Sequence, residues 1–91
     1  MARTSSLKPI AFKLSAPSAK RVSVVGSFNN WDIKANPAKK DLKGNWAVKL
    51  SLKPGKYEYK FFVDGNWVND PGCRGCVTNS FGTQNCVVEV R

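Results

Sequence analysis

The sequence predicts an all-β chain built from antiparallel strands, arranged as a sandwich or a barrel. Three observations lead there. Apolar residues recur with a period of two in five separate segments. Turn-forming residues separate those segments at short intervals. No window carries the apolar stripe of an amphipathic helix.

The first segment places Ile10, Phe12 and Leu14 on one face, and Ser15-Ala16-Pro17-Ser18 ends it in a turn. In the second, Arg21 to Phe28, the residues Val22, Val24 and Phe28 share a face, with Gly26 between them. Asn29-Asn30 and Asn36-Pro37 then mark turns, as does Lys43-Gly44-Asn45. The third segment points Trp46, Val48, Leu50 and Leu52 one way and Asn45, Lys49 and Ser51 the other. After Pro54-Gly55, the fourth alternates Tyr57, Tyr59, Phe61 and Val63 with Lys56, Glu58 and Lys60. Asp64-Gly65 between apolar runs is a hairpin signal, because positive φ costs glycine nothing. Asp70-Pro71-Gly72 is a further turn, and Cys86, Val88 and Val90 share the face of the last segment. Two Gly-Asn-Trp triplets, at 44–46 and 65–67, are turns feeding strands; their flanks differ, so they are not a repeat.

The 91 residues suit one domain, with residues 1–7 loose and 8–91 forming a single β-sandwich. No apolar run is long enough to span a membrane. The N-terminus has basic residues without a continuous apolar stretch, so no signal peptide is read and a cytoplasmic location is the expectation. Fifteen Lys and Arg against six Asp and Glu give a formal charge of +9. That balance suggests an anionic partner, but the charges are scattered and form no basic tail or helix, which is also how a solvated surface reads. Cys73 and Cys76 form a C-x-x-C, yet there is no His and only Cys86 besides, too few ligands for a zinc site. The flanks PGCRGCVTN read as a loop, which does not fit a redox site at a helix start. Free thiols are the preferred reading, and no metal or cofactor is expected.

Catalysis is not expected either. No His is present to act as a base near neutral pH. Asp32, Asp64 and Asp70 sit at turns, where Asp usually caps its own backbone. A glycosidase needs two carboxyls across a cleft, and no phosphate-binding glycine loop occurs.

The aromatic residues say more. Phe12, Phe28, Trp46, Tyr57, Tyr59 and Phe61 fall on core faces. Trp31, Trp67 and Phe81 lie in polar surroundings and are harder to bury. A pyranose ring has an apolar C–H face that can lie on the negative face of an aromatic ring. Its hydroxyls then need partners such as Asn, Thr and Lys. A tryptophan plugging a loop to the core is the structural alternative for each ring.

Three strings carry a family resemblance. Val24-Val25-Gly26-Ser27-Phe28-Asn29-Asn30-Trp31 looks like a GSFNNW signature. The stretch from Tyr57 to Trp67, YEYKFFVDGNW, looks like a YxYKFxVDGxW signature, followed by Asp70-Pro71. Residues 79–88, NSFGTQNCVV, look like the closing N-x-[hydrophobic]-G-x-x-N segment. Together they resemble carbohydrate-binding module family 48, the glycogen-binding and isoamylase N-terminal early-set group. That group includes the glycogen-binding domain of the AMP-activated protein kinase β subunit and the modules that precede the barrels of branching and debranching enzymes. The resemblance runs from about Phe12 to Val90. It implies an immunoglobulin-like β-sandwich that binds α-glucan without catalysis. It implies that Trp31 and Trp67 stack on glucose, that Lys60 and Asn85 bond sugar hydroxyls, that Phe81 sits inside the curve of the chain, and that Thr83 also touches sugar. Residues 70–77 depart from the kinase pattern and look more like bacterial members, and Phe81 is larger than the Leu common in kinase members.

Two other functions compete. The same fold could serve as an interaction or regulatory module docking a glycogen-metabolising enzyme or kinase without touching sugar. Positive charge with stacking aromatics also describes single-strand nucleic-acid binders, although their aromatic ladders are not visible here; neither nucleic acid nor membrane is an expected partner. Salt separates the last pair. Affinity for a neutral glucan should barely change when ionic strength is raised, whereas a nucleic-acid binder would weaken steeply; titration at low and high salt measures this.

Overall fold

The computed structural model describes residues 7–72 and 75–91. The expected loose segment 1–7 therefore falls, apart from Leu7, outside the described residues, as does Cys73 of the C-x-x-C. Two antiparallel sheets form a sandwich. One joins β1 (Lys8–Ser15), β4 (Asn45–Leu52) and β3 (Lys39–Lys40) in the order β1-β4-β3. The other runs β2 (Val22–Gly26), β5 (Gly55–Val63), β8 (Gln84–Val90) and β7 (Cys76–Thr78), with β6 (Asn66–Val68) also paired to β5. No helix among the described residues is long and apolar enough to cross a membrane.

The period-two residues meet between the sheets. Phe12 and Leu14 of β1 and Trp46 and Leu52 of β4 face Val22, Val24, Tyr59, Phe61, Cys86 and Val90 of the other sheet. Phe12 packs edge-on to Tyr59 at 5.0 Å, and Tyr59 to Phe61 at 6.1 Å, the geometry that aromatic quadrupoles favour. Trp46 satisfies its indole N–H by donating to the Ala16 carbonyl at 2.9 Å. Each buried aliphatic or aromatic side chain contributes about 1.5–3 kcal/mol of transfer free energy. Cys86 is fully buried, and its sulfur bonds the Asp70 backbone at 3.2 Å to N–H and 3.7 Å to C=O.

β2 departs from the sequence expectation. All five of its residues are buried, on both faces, and the strand stops at Gly26 instead of continuing to Phe28. Residues Ser27–Asn29 form a 3-10 turn, and Phe28 reaches the Phe12 ring from that turn at 5.5 Å. The physical cause is closeness. A Cβ on Gly26 would strike the Glu58 carbonyl and lie 2.8 Å from the Phe28 ring and 2.9 Å from Tyr59 Cβ. The chain then folds back over the outer face of β2. Ser23 Oγ donates to the Ile33 carbonyl, and segment 36–38 pairs with the strand through Val24 N–H to Asn36 O and Ala38 N–H to Val22 O. An otherwise bare sheet edge is covered in this way. The clasp is Asn29. Its Oδ1 accepts from Gly26 N–H at 3.1 Å, while its amide donates to Val24 O at 3.2 Å and to Asn36 Oδ1 at 2.7 Å.

The Asp64–Gly65 turn forms as expected, with φ of 48° and 87°, the left-handed pair of a two-residue hairpin. Asp64 does not cap its own turn, however. Its carboxylate accepts from Lys20 N–H and Arg21 N–H, at 2.8 to 3.1 Å, tying the hairpin tip to the entry of β2. Asp32 and Asp70 do cap locally, through Lys34 N–H and Gly72 N–H.

Two outcomes follow from this geometry. Gly26→Ala should cost about 1–3 kcal/mol of stability through overpacking, read as a lowered urea midpoint. The backbone N–H groups of Arg21 and Lys20 hold the Asp64 carboxyl below its ordinary value, and those of Asn45 and Lys43 do the same for Asp41. A depressed carboxylate adds stability above the unfolded value and loses it as pH falls through the folded one. Stability should therefore drop below about pH 4, and Asp64→Asn should make that drop shallower in urea titrations run at successive pH values.

Candidate functional site

The site lies on the outer face of the larger sheet. Strand alternation sends Tyr59 and Phe61 inward, so Glu58, Lys60 and Phe62 point outward from β5. The two-residue turn fixes the register of the hairpin, pairing Phe62 with Trp67. Their ring centroids stand 4.8 Å apart, so Phe62 supports one side of the Trp67 indole. Trp67 is nevertheless 49% exposed.

Trp31 arrives from the segment that roofs β2. Asn30 and Trp31 both have φ of 58°. For a residue with a Cβ this left-handed conformation costs about 1–2 kcal/mol. It is held by Trp31 N–H donating to Gly26 O at 2.9 Å and Asp32 N–H to Asn29 O at 3.2 Å. The result brings the Trp31 and Trp67 centroids to 6.5 Å with their planes inclined by 69°. Trp31 remains 37% exposed, against 7% for Trp46.

Beside the pair runs a polar network. Lys60 Nζ donates to Thr83 Oγ1 at 3.4 Å, a long contact that commits one of three ammonium protons. Asn79 Nδ2 donates to Thr83 Oγ1 at 2.7 Å and to Asn85 Oδ1 at 3.0 Å. Asn85 Nδ2 in turn donates to Glu58 Oε1 at 3.1 Å. Asn85 is only 6% exposed and bonded at both ends of its amide, so its remaining N–H and lone pair are what it can offer a ligand. Asn79 also accepts from Phe81 N–H and Thr83 N–H at 2.9 and 3.1 Å, and its own backbone N–H donates to Thr83 O at 2.8 Å. Its side chain thereby organises the whole turn that carries Phe81, which is 89% exposed and joins no aromatic pair among the described residues.

Of the six residues read from the sequence, Trp31 and Trp67 meet directly, and Lys60, Thr83 and Asn85 meet through hydrogen bonds. Phe81 stands by itself at its turn tip. Phe62, Asn79 and Glu58 were not foreseen. Phe62 could have been found by counting back through the Asp64–Gly65 turn. Asn79 carries the signal of an Asn opening a tight polar turn. Glu58 shares the Lys60 face. Among the described residues no group of three or more His, Cys, Asp or Glu could hold a metal ion.

The family described as the glycogen recognition site of AMP-activated protein kinase matches residues 8–91. The chain is 42% identical over 72 residues to the 5'-AMP-activated protein kinase subunit beta-2 of Mus musculus, covering 79% of this chain and 26% of that protein. It is 37% identical over 84 residues to subunit beta-1 of Rattus norvegicus and likewise of Homo sapiens, covering 92% of this chain and 29% of each. It thus spans between a quarter and a third of the length of these curated relatives.

The exposures generate a direct check. Acrylamide should quench the fluorescence of Trp31 and Trp67 and spare Trp46, so a Trp46-only variant should be nearly unquenched in the folded state.

Proposed function

This chain belongs to the family of glycogen recognition sites of AMP-activated protein kinase, and we propose that it holds α-1,4-linked glucans on its Trp31–Trp67 platform without catalysing their conversion. The observation that carries this reading is the pair itself, two exposed indoles 6.5 Å apart and inclined by 69°. An α-1,4-glucan bends as it runs, so neighbouring glucose rings present their apolar faces at an angle. Flat parallel rings would suit a straight chain; an inclined pair suits a curved one. Lys60, with ammonium protons to spare, and the outward groups of Thr83 and Asn85 bond hydroxyls at the edge of the platform. Phe81 fills the inside of the curve.

The platform is formed before any ligand arrives. Trp31 is locked by its backbone bonds, Trp67 leans on Phe62, and Asn79 fixes the Phe81 turn. Little ordering entropy remains to be lost on binding. Short oligosaccharides should bind weakly and a branched polymer more tightly through many simultaneous contacts. The carboxylates support a non-catalytic role. Asp32, Asp41, Asp64 and Asp70 accept from backbone N–H groups, Glu58 accepts from Asn85, and Glu89 pairs with Arg91. Asp70 and Glu89 line one cleft, but Asp70 accepts from the Tyr59 hydroxyl and Gly72 N–H while Glu89 pairs with Arg91, so neither carboxylate stands unengaged for the paired roles that hydrolysis of a glycosidic bond requires.

The relatives' names specify a kinase subunit. A second reading follows, in which the module directs an attached or associated enzyme to glycogen, or docks that enzyme without binding sugar. Titrating β-cyclodextrin while following tryptophan fluorescence tests the platform. Trp31→Ala and Trp67→Ala should each weaken binding by about tenfold or more, the loss of roughly 1.4 kcal/mol of stacking. Both positions are exposed, so the thermal midpoint should hardly move. Glycogen pull-down that survives the double substitution would leave the docking reading in its place.

A further inference from the structure

The geometry points to a second subsite beside the platform, a cationic groove that takes a phosphate monoester carried by the bound glucan; this rests on the platform reading above. Features follow one another along the outer face of β5. The Lys60 network comes first, then Phe62 under Trp67 about 7 Å further on, then the hairpin tip at Asp64–Gly65. At that tip, the entry to β2 and the loop after Trp31 border an open groove of about 720 Å³ that reaches Trp46 of the other sheet. Val22, Ile33, Ala38 and Phe62 supply apolar walls, and Lys20, Arg21 and Lys34 are the cations that line it. Phe62 is shared with the Trp67 stack, and Lys34 belongs to the same loop as Trp31. A glucan lying across the two indoles is thus delivered to the groove by its own continuation.

The charge arrangement calls for an anion. Asp64 is the one carboxylate in the lining. Its oxygens are taken by the backbone N–H groups of Lys20 and Arg21, not by their side chains. The three cationic heads make no hydrogen bond or close ion pair among the described residues, although the charges of Lys20 and Arg21 act on Asp64 through space. Three positive groups against one negative leave the groove with an excess of two charges, matched to the charge of about −1.5 to −2 on a phosphate monoester. Arg and Lys together supply the planar fork and the point charge that bind phosphate oxygens. All three cations are exposed at the rim of the groove, so their attraction for the ester is screened by salt and is strongest at low ionic strength.

Calorimetric titration of the full chain with three probes decides the matter. The first is maltoheptaose; the second is maltoheptaose carrying a 6-phosphate on one terminal glucose, each terminus in its own titration; the third is glucose 6-phosphate alone. One of the phosphorylated chains should bind about tenfold tighter than neutral maltoheptaose at low salt, and glucose 6-phosphate should bind far more weakly than either chain. The Lys20→Ala/Lys34→Ala double variant, and Arg21→Ala separately, should lose most of that advantage while binding neutral maltoheptaose as before. Alanine keeps the backbone N–H groups that hold Asp64, so the hairpin tie survives in these variants. Equal affinity for neutral and phosphorylated chains overturns the subsite and leaves the platform standing. Glucose 6-phosphate binding as tightly as the phosphorylated chain also overturns it, since the groove would then serve a free sugar phosphate. Loss of binding to every oligosaccharide removes the platform reading and the subsite together.

Discussion

Everything at the site depends on the clasp made by Asn29. One side chain bonds the N–H at the end of β2, a carbonyl inside β2 and the amide of Asn36 at the far end of the returning segment. It closes the chain over the outer face of the strand and fixes where the left-handed step at Asn30 and Trp31 must fall. Without that closure Ser23 and Val25 would face water, and Trp31 would have no fixed position relative to Trp67. Backbone strain at Trp31 is tolerated because these bonds over-determine it.

Much of the sandwich was legible in the amino-acid order. Phe12 and Leu14, Trp46 and Leu52, Tyr59 and Phe61, and Cys86 and Val90 recur at even spacing on one face, and a half-buried strand imposes that period regardless of context. The Asp64–Gly65 turn was legible because only a narrow set of residues accepts its dihedrals. What escaped was set by contacts distant in sequence. Val25 reads as outward-facing by period, and nothing local says that residues 27–38 will cover it. Phe28 fits the alternation, but the packing of Gly26 against Glu58 and Tyr59 ends the strand before it. Asp64 looks like a local cap, yet it serves backbone N–H groups more than forty positions earlier. The exposed tryptophans were readable from polar flanks, whereas the buried state of Asn85 depends on Asn79 and Glu58 closing around it.

The charge of +9 follows from composition, and the partners of the carboxylates show how little of it is neutralised in direct pairs. With five of six engaged by backbone N–H groups or an amide, only Glu89 among the described residues meets a basic side chain in a direct ion pair, that of Arg91. The lysines and arginines are left to set the field around the molecule. A neutral polysaccharide gains nothing from that field, so under the proposed reading its recognition would fall to stacking and hydrogen bonding at one place on the sheet.

The two platform indoles come from stretches of chain far apart in sequence and meet only when the larger sheet and its covering segment are in place. An unfolded chain therefore has no equivalent surface to offer. By linkage, any ligand that occupies this surface pulls the folding equilibrium toward the native state, by RT ln(1 + [L]/Kd). On a polymer that presents many equivalent ends at high local density, a polysaccharide held at the proposed platform would double as a protectant, lengthening the life of the protein most where the protein is in use.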